Sequence, residues 1–195
     1  MITPRPAKYL FLSVTTDGAD PVDHVALEVA WIVTDRHLRE IERQTWLAPS
    51  CYTAVTQPAE QAQARGCDAD MIERHAVSGL WSEIGKATPS RLEYRAALVA
   101  AIERYDWGGG APILAGWSVH LDRAFLREWA PHVEHALSLA HLDVASLDLA
   151  LGDCVEATPP APDLHARALP RALASLERAR DIYQALHLYA EDGGE

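Results

Sequence analysis

Asp17, Asp20, Asp122 and Asp143 are the acidic side chains whose placement could gather a divalent cation, because hard cations prefer carboxylate oxygens. Their ordinary work is turn formation and helix capping, and that plainer role is the one expected of Asp17, Asp20 and Asp143. His132 and His135, with His141 nearby, have a spacing that suits zinc. No cysteine or further histidine completes a tetrahedral set around them, so exposed helical histidines are expected. Gly108-Gly109-Gly110 lacks the Lys-Ser/Thr of a phosphate-binding loop. Arg167, Arg171, Arg178 and Arg180 could make a basic patch, yet Glu177 and Asp181 lie among them, as on any solvated helical face. Trp31, Trp46, Trp81, Trp107, Trp117 and Trp129 read as core or interface anchors rather than platforms for stacked bases.

These residues sit in a chain of 195 residues that is 49% hydrophobic and 23% charged. Such a composition supports one globular domain spanning 1–195 and excludes collagen-like, coiled-coil and disordered classes. Lys plus Arg number 17 against 28 Asp plus Glu, a formal net charge of −11. A polyphosphate or an anionic membrane therefore meets no general attraction, and nucleic-acid binding would need a local patch or bound cations. Cys51, Cys67 and Cys154 are odd in number and lack metal-like spacing, which points to a reducing compartment. With no apolar run of bilayer length, a soluble cytoplasmic protein is the expectation.

The elements that must position these residues follow from periodicity. Apolar runs at Tyr9 to Leu12 and Ala26 to Val33 predict strands, and Ile41 to Leu47 closes an antiparallel meander with the second. Residues 52–81 read as irregular with short helices, and His75 to Leu80 as a loop. Leu92, Ala96, Val99, Ile102 and Tyr105 recur at helical spacing. Pro112 to Ala115 is a buried strand, followed by a helix carrying Leu121, Phe125, Leu126 and Trp129. Val144 to Leu151 predicts a short helix, and Thr158 to Pro162 a rigid exposed connection. In the last helix, Leu169, Leu173, Leu176, Tyr183 and Leu186 share one face, with Pro170 in the first turn.

The string Leu12-Ser13-Val14-Thr15-Thr16-Asp17-Gly18-Ala19-Asp20-Pro21 resembles a strand ending in Asp-x-Glu-x-Thr-Gly-Leu-Asp-Pro, the first motif of oligoribonucleases, which are DEDDh 3′→5′ exonucleases. Val29 to Asp35 continues as that family's second strand does. His75-Ala76-Val77-Ser78-Gly79-Leu80 resembles its His-Thr-x-Ser-Gly-Leu loop, and Asp122-Arg123-Ala124-Phe125-Leu126, with Pro131 and Glu134, its second motif. Leu142-Asp143-Val144-Ala145-Ser146-Leu147 is similar to the Leu-Asp-Val-Ser-Thr-Leu that follows. The resemblance implies an α/β fold of the ribonuclease-H-like, DnaQ-like exonuclease type, a mixed sheet flanked by helices. It also implies a homodimer.

In such enzymes four carboxylates hold two Mg²⁺ or Mn²⁺ ions, and a histidine activates water. Here the first two carboxylate positions fall on Ser13 and Thr15. Asp122 keeps the third, as a remnant ligand or as an ordinary acidic residue near a helix start. The gapless match of the last motif puts Ala166 at the base and Arg171 at the last ligand; a one-residue slip brings in His165 but puts Pro170 at the ligand. Ala19 replaces the leucine that wedges between bases. The expectation is a catalytically degenerate protein, without cofactor, that acts by binding a protein partner. One alternative is an active exonuclease using Mg²⁺ or Mn²⁺ at a displaced site. The other is a metal-free binder of nucleic-acid ends or nucleotides through Ser13, Thr15, Asp122, Ser78 and Arg171.

Overall fold

Three strands come first because two apolar runs and one alternating stretch do. The structure, a computed structural model, describes residues 6–48, 51–52, 55–87, 93–151, 162–163 and 166–192. Strands β1 (Tyr9–Thr16), β2 (Ala26–Thr34) and β3 (Glu40–Leu47) form the expected antiparallel meander, in register at Leu12↔Trp31 and Val29↔Trp46. All nine residues of β2 are buried, as its continuous apolar run requires of a strand covered on both faces. Two later strands, β4 (Ile113–Gly116) and β5 (His141–Asp143), add in parallel, giving the order β3-β2-β1-β4-β5. The result is a mixed five-stranded sheet flanked by helices.

Alternate side chains of β1 feed two cores. Leu10, Leu12 and Val14 pack with Leu98 of helix α4 (Glu93–Arg104), Leu126 of α5 (Val119–Trp129) and Val133 of α6 (Pro131–Ala136). On the other face, Phe11 packs with Val144 of α7 (Val144–Leu151) and with Ala172, Leu176 and Ala179 of α8 (Ala168–Asp192). A third cluster joins Leu27 and Tyr52 to α1 (Pro58–Ala64), α2 (Ala69–Val77) and α3 (Leu80–Lys86).

Several local expectations change. The stretch read as irregular with short helices does carry them, α1, α2 and the start of α3, but His75 to Val77 closes α2 rather than belonging to a loop; the chain turns at Gly79, whose φ of 75° suits glycine. The packed seam of α8 runs Ala168, Ala172, Leu176, Ala179, and Leu186 is 45% exposed. Small residues let the helix lie close to the sheet, so the leucine stripe is displaced to its flanks. Nor do the arginines of α8 all make a solvated face: Arg178 is buried against Asp148, whereas Arg180 is exposed and donates to the Leu38 carbonyl. The expected connection over 158–161, and Cys154, lie outside the described residues. Among the described residues no helix is long and apolar enough to cross a membrane.

One ion pair ties the sheet to the start of α8. Glu28 is 1% exposed in the middle of β2, where an uncompensated charge would be costly. Arg167 reaches it with Nη2 at 2.6 Å and Nε at 3.0 Å, the Ala168 amide adds a bond of 2.8 Å, and Arg167 also pairs with Glu83 of α3 at 2.8 Å. Glu28→Ala is expected to cost about 3 kcal/mol in urea denaturation, the scale for breaking a buried pair on one side. A loss below ~0.5 kcal/mol would show that Arg167 and α8 do not depend on it.

Candidate functional site

A parallel strand pair leaves a gap where one partner ends early. Ile113 N donates to the Lys8 carbonyl, so the even-numbered peptides of β1 face β4. Their pairing runs from Tyr9↔Ile113 to Phe11↔Ala115, while β1 continues to Thr16. The peptide groups of Val14 and Thr16 therefore face no strand, at the switch point where open α/β sheets form their crevices.

Side chains from three helices fill the gap. Asp122 of α5 accepts the Val14 amide at Oδ1 (2.8 Å). Arg171 of α8 donates Nη2 to the Val14 carbonyl (2.6 Å). His75 of α2 lies 2.8 Å from the Thr16 carbonyl through Nε2, which must carry the proton because a carbonyl only accepts. Arg171 also donates Nε and Nη2 to the Ser13 hydroxyl, at 3.0 and 2.7 Å.

Electrostatics follow from this burial. Asp122 is 8% exposed, and desolvation pushes its carboxyl up to about 7, with Asp143 adding to the rise; Arg171 and the Val14 amide pull the other way. Burial lowers the Arg171 guanidinium from its usual value, opposed by Asp122, Glu28 and Asp163. Burial likewise lowers His75.

Around Asp122 and Arg171 lies a cavity of about 210 Å³, lined also by Ser13, Ala19, Trp117, Leu121 and Phe125. The other sequence-derived candidates are distributed differently. Thr15 is 3% exposed and does not line this cavity; its hydroxyl is buried with no hydrogen-bond partner. Ser78 and Ala166 line a separate concavity with Asp70, Glu73, Arg74 and Asp163, and the Ser78 hydroxyl donates to the His75 carbonyl. His165 lies outside the described residues. Asp20 and Asp143 do what turn and capping aspartates do, accepting the amides of Val22, and of Val119 and Ser146; Asp17 is instead buried, 2% exposed, and accepts the Val25 amide and the Tyr52 hydroxyl, each at 2.6 Å. Among the described residues no three His, Cys, Asp or Glu side chains gather as a metal site would require.

Comparison with known proteins agrees with this frame. No family model matches. The oligoribonuclease of Corynebacterium efficiens is 32% identical over 196 aligned positions, covering 98% of this chain and 84% of that protein. The chain belongs to the oligoribonuclease family. The Pseudomonas aeruginosa oligoribonuclease is 31% identical over 143 residues, 74% of its length, and that of Corynebacterium glutamicum is 31% identical, with the chain spanning 63% of it. Among solved structures, E. coli exonuclease I in complex with a 5cy-dT13 oligonucleotide superposes with a TM-score of 0.65 at 13% identity. That likeness is one of fold, over 96% of this chain and 43% of the exonuclease.

Sequence reasoning passed over Glu28 and gave Arg167 and His75, though it named both, no role at the site. Glu28 was detectable as a lone charge in an apolar strand, which demands a cationic partner. For Asp122 the sign of the pH effect is fixed: between an unfolded value near 3.9 and about 7 in the fold, the native state holds the proton and the unfolded state releases it. Its contribution to stability is thus greatest at low pH and declines as pH rises through that window. Relative to wild type, Asp122→Asn should remove a slope of up to about 1.4 kcal/mol per pH unit between about pH 4 and pH 7. Parallel stability curves for the two proteins across that range would contradict it.

Proposed function

We propose that this chain is a non-hydrolysing member of the oligoribonuclease family, whose cleft recognises a nucleotide or nucleic-acid end without metal ions. The observation that carries this is Arg171, fixed by hydrogen bonds to Ser13 and Val14 beside the family's metal-ligand positions. A pair of divalent cations needs several carboxylate oxygens, and the donor set does not fit them. Ser13 supplies a neutral hydroxyl already accepting from Arg171, and Thr15 does not line the cavity. Both oxygens of Glu28 are taken by Arg167 and the Ala168 amide, and both of Asp143 by helix-start amides. A guanidinium also opposes cation entry: two unit charges 4 Å apart repel by about 4 kcal/mol at an effective dielectric of 20.

The surface gives less support to a protein partner as the main ligand. Its large exposed apolar side chains, such as Val22, Val77, Leu139 and Leu149, come from separate segments. An active exonuclease with a displaced metal site is the alternative, favoured by 32% identity to an oligoribonuclease over nearly the whole chain and by Asp122 at its motif position. In that case two carboxylates must be drawn to Asp122 from elsewhere.

Incubation of a labelled dinucleotide with Mg²⁺ or Mn²⁺ decides between them. The expectation is no turnover above buffer, and no Mn²⁺ uptake by calorimetry. Turnover abolished by Asp122→Ala would overturn the proposal. The combined variant Ser13→Asp, Thr15→Glu, Ala166→His and Arg171→Asp is expected to gain Mn²⁺ binding; a folded variant without uptake would count against the placement of these positions.

A further inference from the structure

Helices α1 to α3 are built as one body. Their apolar side chains Ala62, Leu80, Trp81 and Ile84 close on Tyr52 and on Leu27 of β2, in a cluster separate from the two that cover the faces of the sheet. Within it the Trp81 ring meets the Tyr52 and His75 rings edge to face, with centroids 5.2 and 5.4 Å away, and its Nε1 donates to the Ile72 carbonyl of α2 at 3.0 Å. A segment with its own buried cluster can open as a unit while the sheet stays folded.

This body supplies one wall of the crevice. Met71 and His75 are four apart on α2 and so share a face. Met71 lines the cavity, and His75 holds the Thr16 carbonyl. The ties from the body to the rest of the fold differ in depth. On the inner side Tyr52, 0% exposed, donates its hydroxyl to Asp17 Oδ2 at 2.6 Å, and Asp17 directly precedes Gly18 and Ala19 of the cavity wall. On the outer side Glu83 of α3 accepts from Arg167 at 2.8 and 3.1 Å, but its side chain is 54% exposed, and an ion pair so open to water holds weakly.

We propose that α1 to α3 form a hinged cap on the crevice, pivoting at the deep Asp17–Tyr52 bond and latched by the exposed pair of Glu83 with Arg167. Opening breaks the latch and the His75–Thr16 bond, gives the Glu83 carboxylate and the Thr16 carbonyl to water, and carries Met71 away from the cavity. Arg167 keeps its bonds to Glu28 in the open state, so the sheet and the start of α8 remain joined. The cap works alike whatever the crevice takes, as lids elsewhere admit and then enclose a ligand.

Hydrogen exchange of the full chain, followed by mass spectrometry, tests this with Glu83→Gln and, as a control for lost charge, Glu73→Gln at an exposed position of α2. Glu83→Gln should speed exchange within 58–86 about two- to fivefold, the range that a half-exposed ion pair supports, and leave β1, β2 and β4 at wild-type rates. Ser13→Cys puts a thiol on the crevice wall at a position 5% exposed, and iodoacetamide should alkylate its peptide faster by the same factor once Glu83→Gln is added. Faster exchange shared equally by the sheet, no acceleration within 58–86, or the same acceleration from Glu73→Gln would overturn the cap. An alkylation rate that Glu83→Gln leaves unchanged would overturn its place over the crevice.

Discussion

Strand β1 outruns its parallel neighbour, and the rest of the site depends on that mismatch. Beyond Phe11↔Ala115 the backbone of β1 has donors and acceptors with no strand opposite them. Buried backbone groups must find partners. Asp122, Arg171 and His75 supply them from three helices, so the crevice and the side chains that line it arise from one requirement. An acidic residue therefore holds the Val14 amide and a basic residue its carbonyl.

That arrangement also governs electrostatics. Arg171 makes the end of β1 cationic where two-metal chemistry would need concentrated negative charge, and its hydrogen bonds occupy the Ser13 hydroxyl. The surrounding acids are committed elsewhere: Glu28 holds the start of α8 through Arg167, and Asp143 caps two helices. What remains in the cavity is one carboxyl raised by desolvation, apolar walls, and a guanidinium engaged with its own chain. The family fold is kept, and the proposed reading is that the chemistry at its centre changes.

Much of the sheet was legible in the sequence because each strand carries its own signal. The apolar run of β2, broken only by Glu28 before Thr34, and the motif strings around β1 and α5 need no knowledge of distant residues. Helices α1 to α3 were obscure because seven to nine residues hold barely two turns, too few to establish a period. Strand β5, with three residues, offers no pattern at all. Arg167, just before α8, and Arg171 within it were misread for a different reason. Their partners lie far away in sequence, 158 positions for Arg171 with Ser13 and 139 for Arg167 with Glu28, so local charge patterning described a solvated face where folding makes internal ion pairs and hydrogen bonds. Ser13, Asp122 and Arg171 line one cavity, from which Thr15 is absent, while Ser78 and Ala166 line another concavity.

Anomalous diffraction from crystals soaked in Mn²⁺ tests the central claim most directly, because it reports the cation and the guanidinium in one experiment. The account predicts no manganese peak beside Asp122, with Arg171 still bonded to Ser13 and Val14. A strong peak coordinated by Asp122, with Arg171 swung out of the crevice, would contradict it.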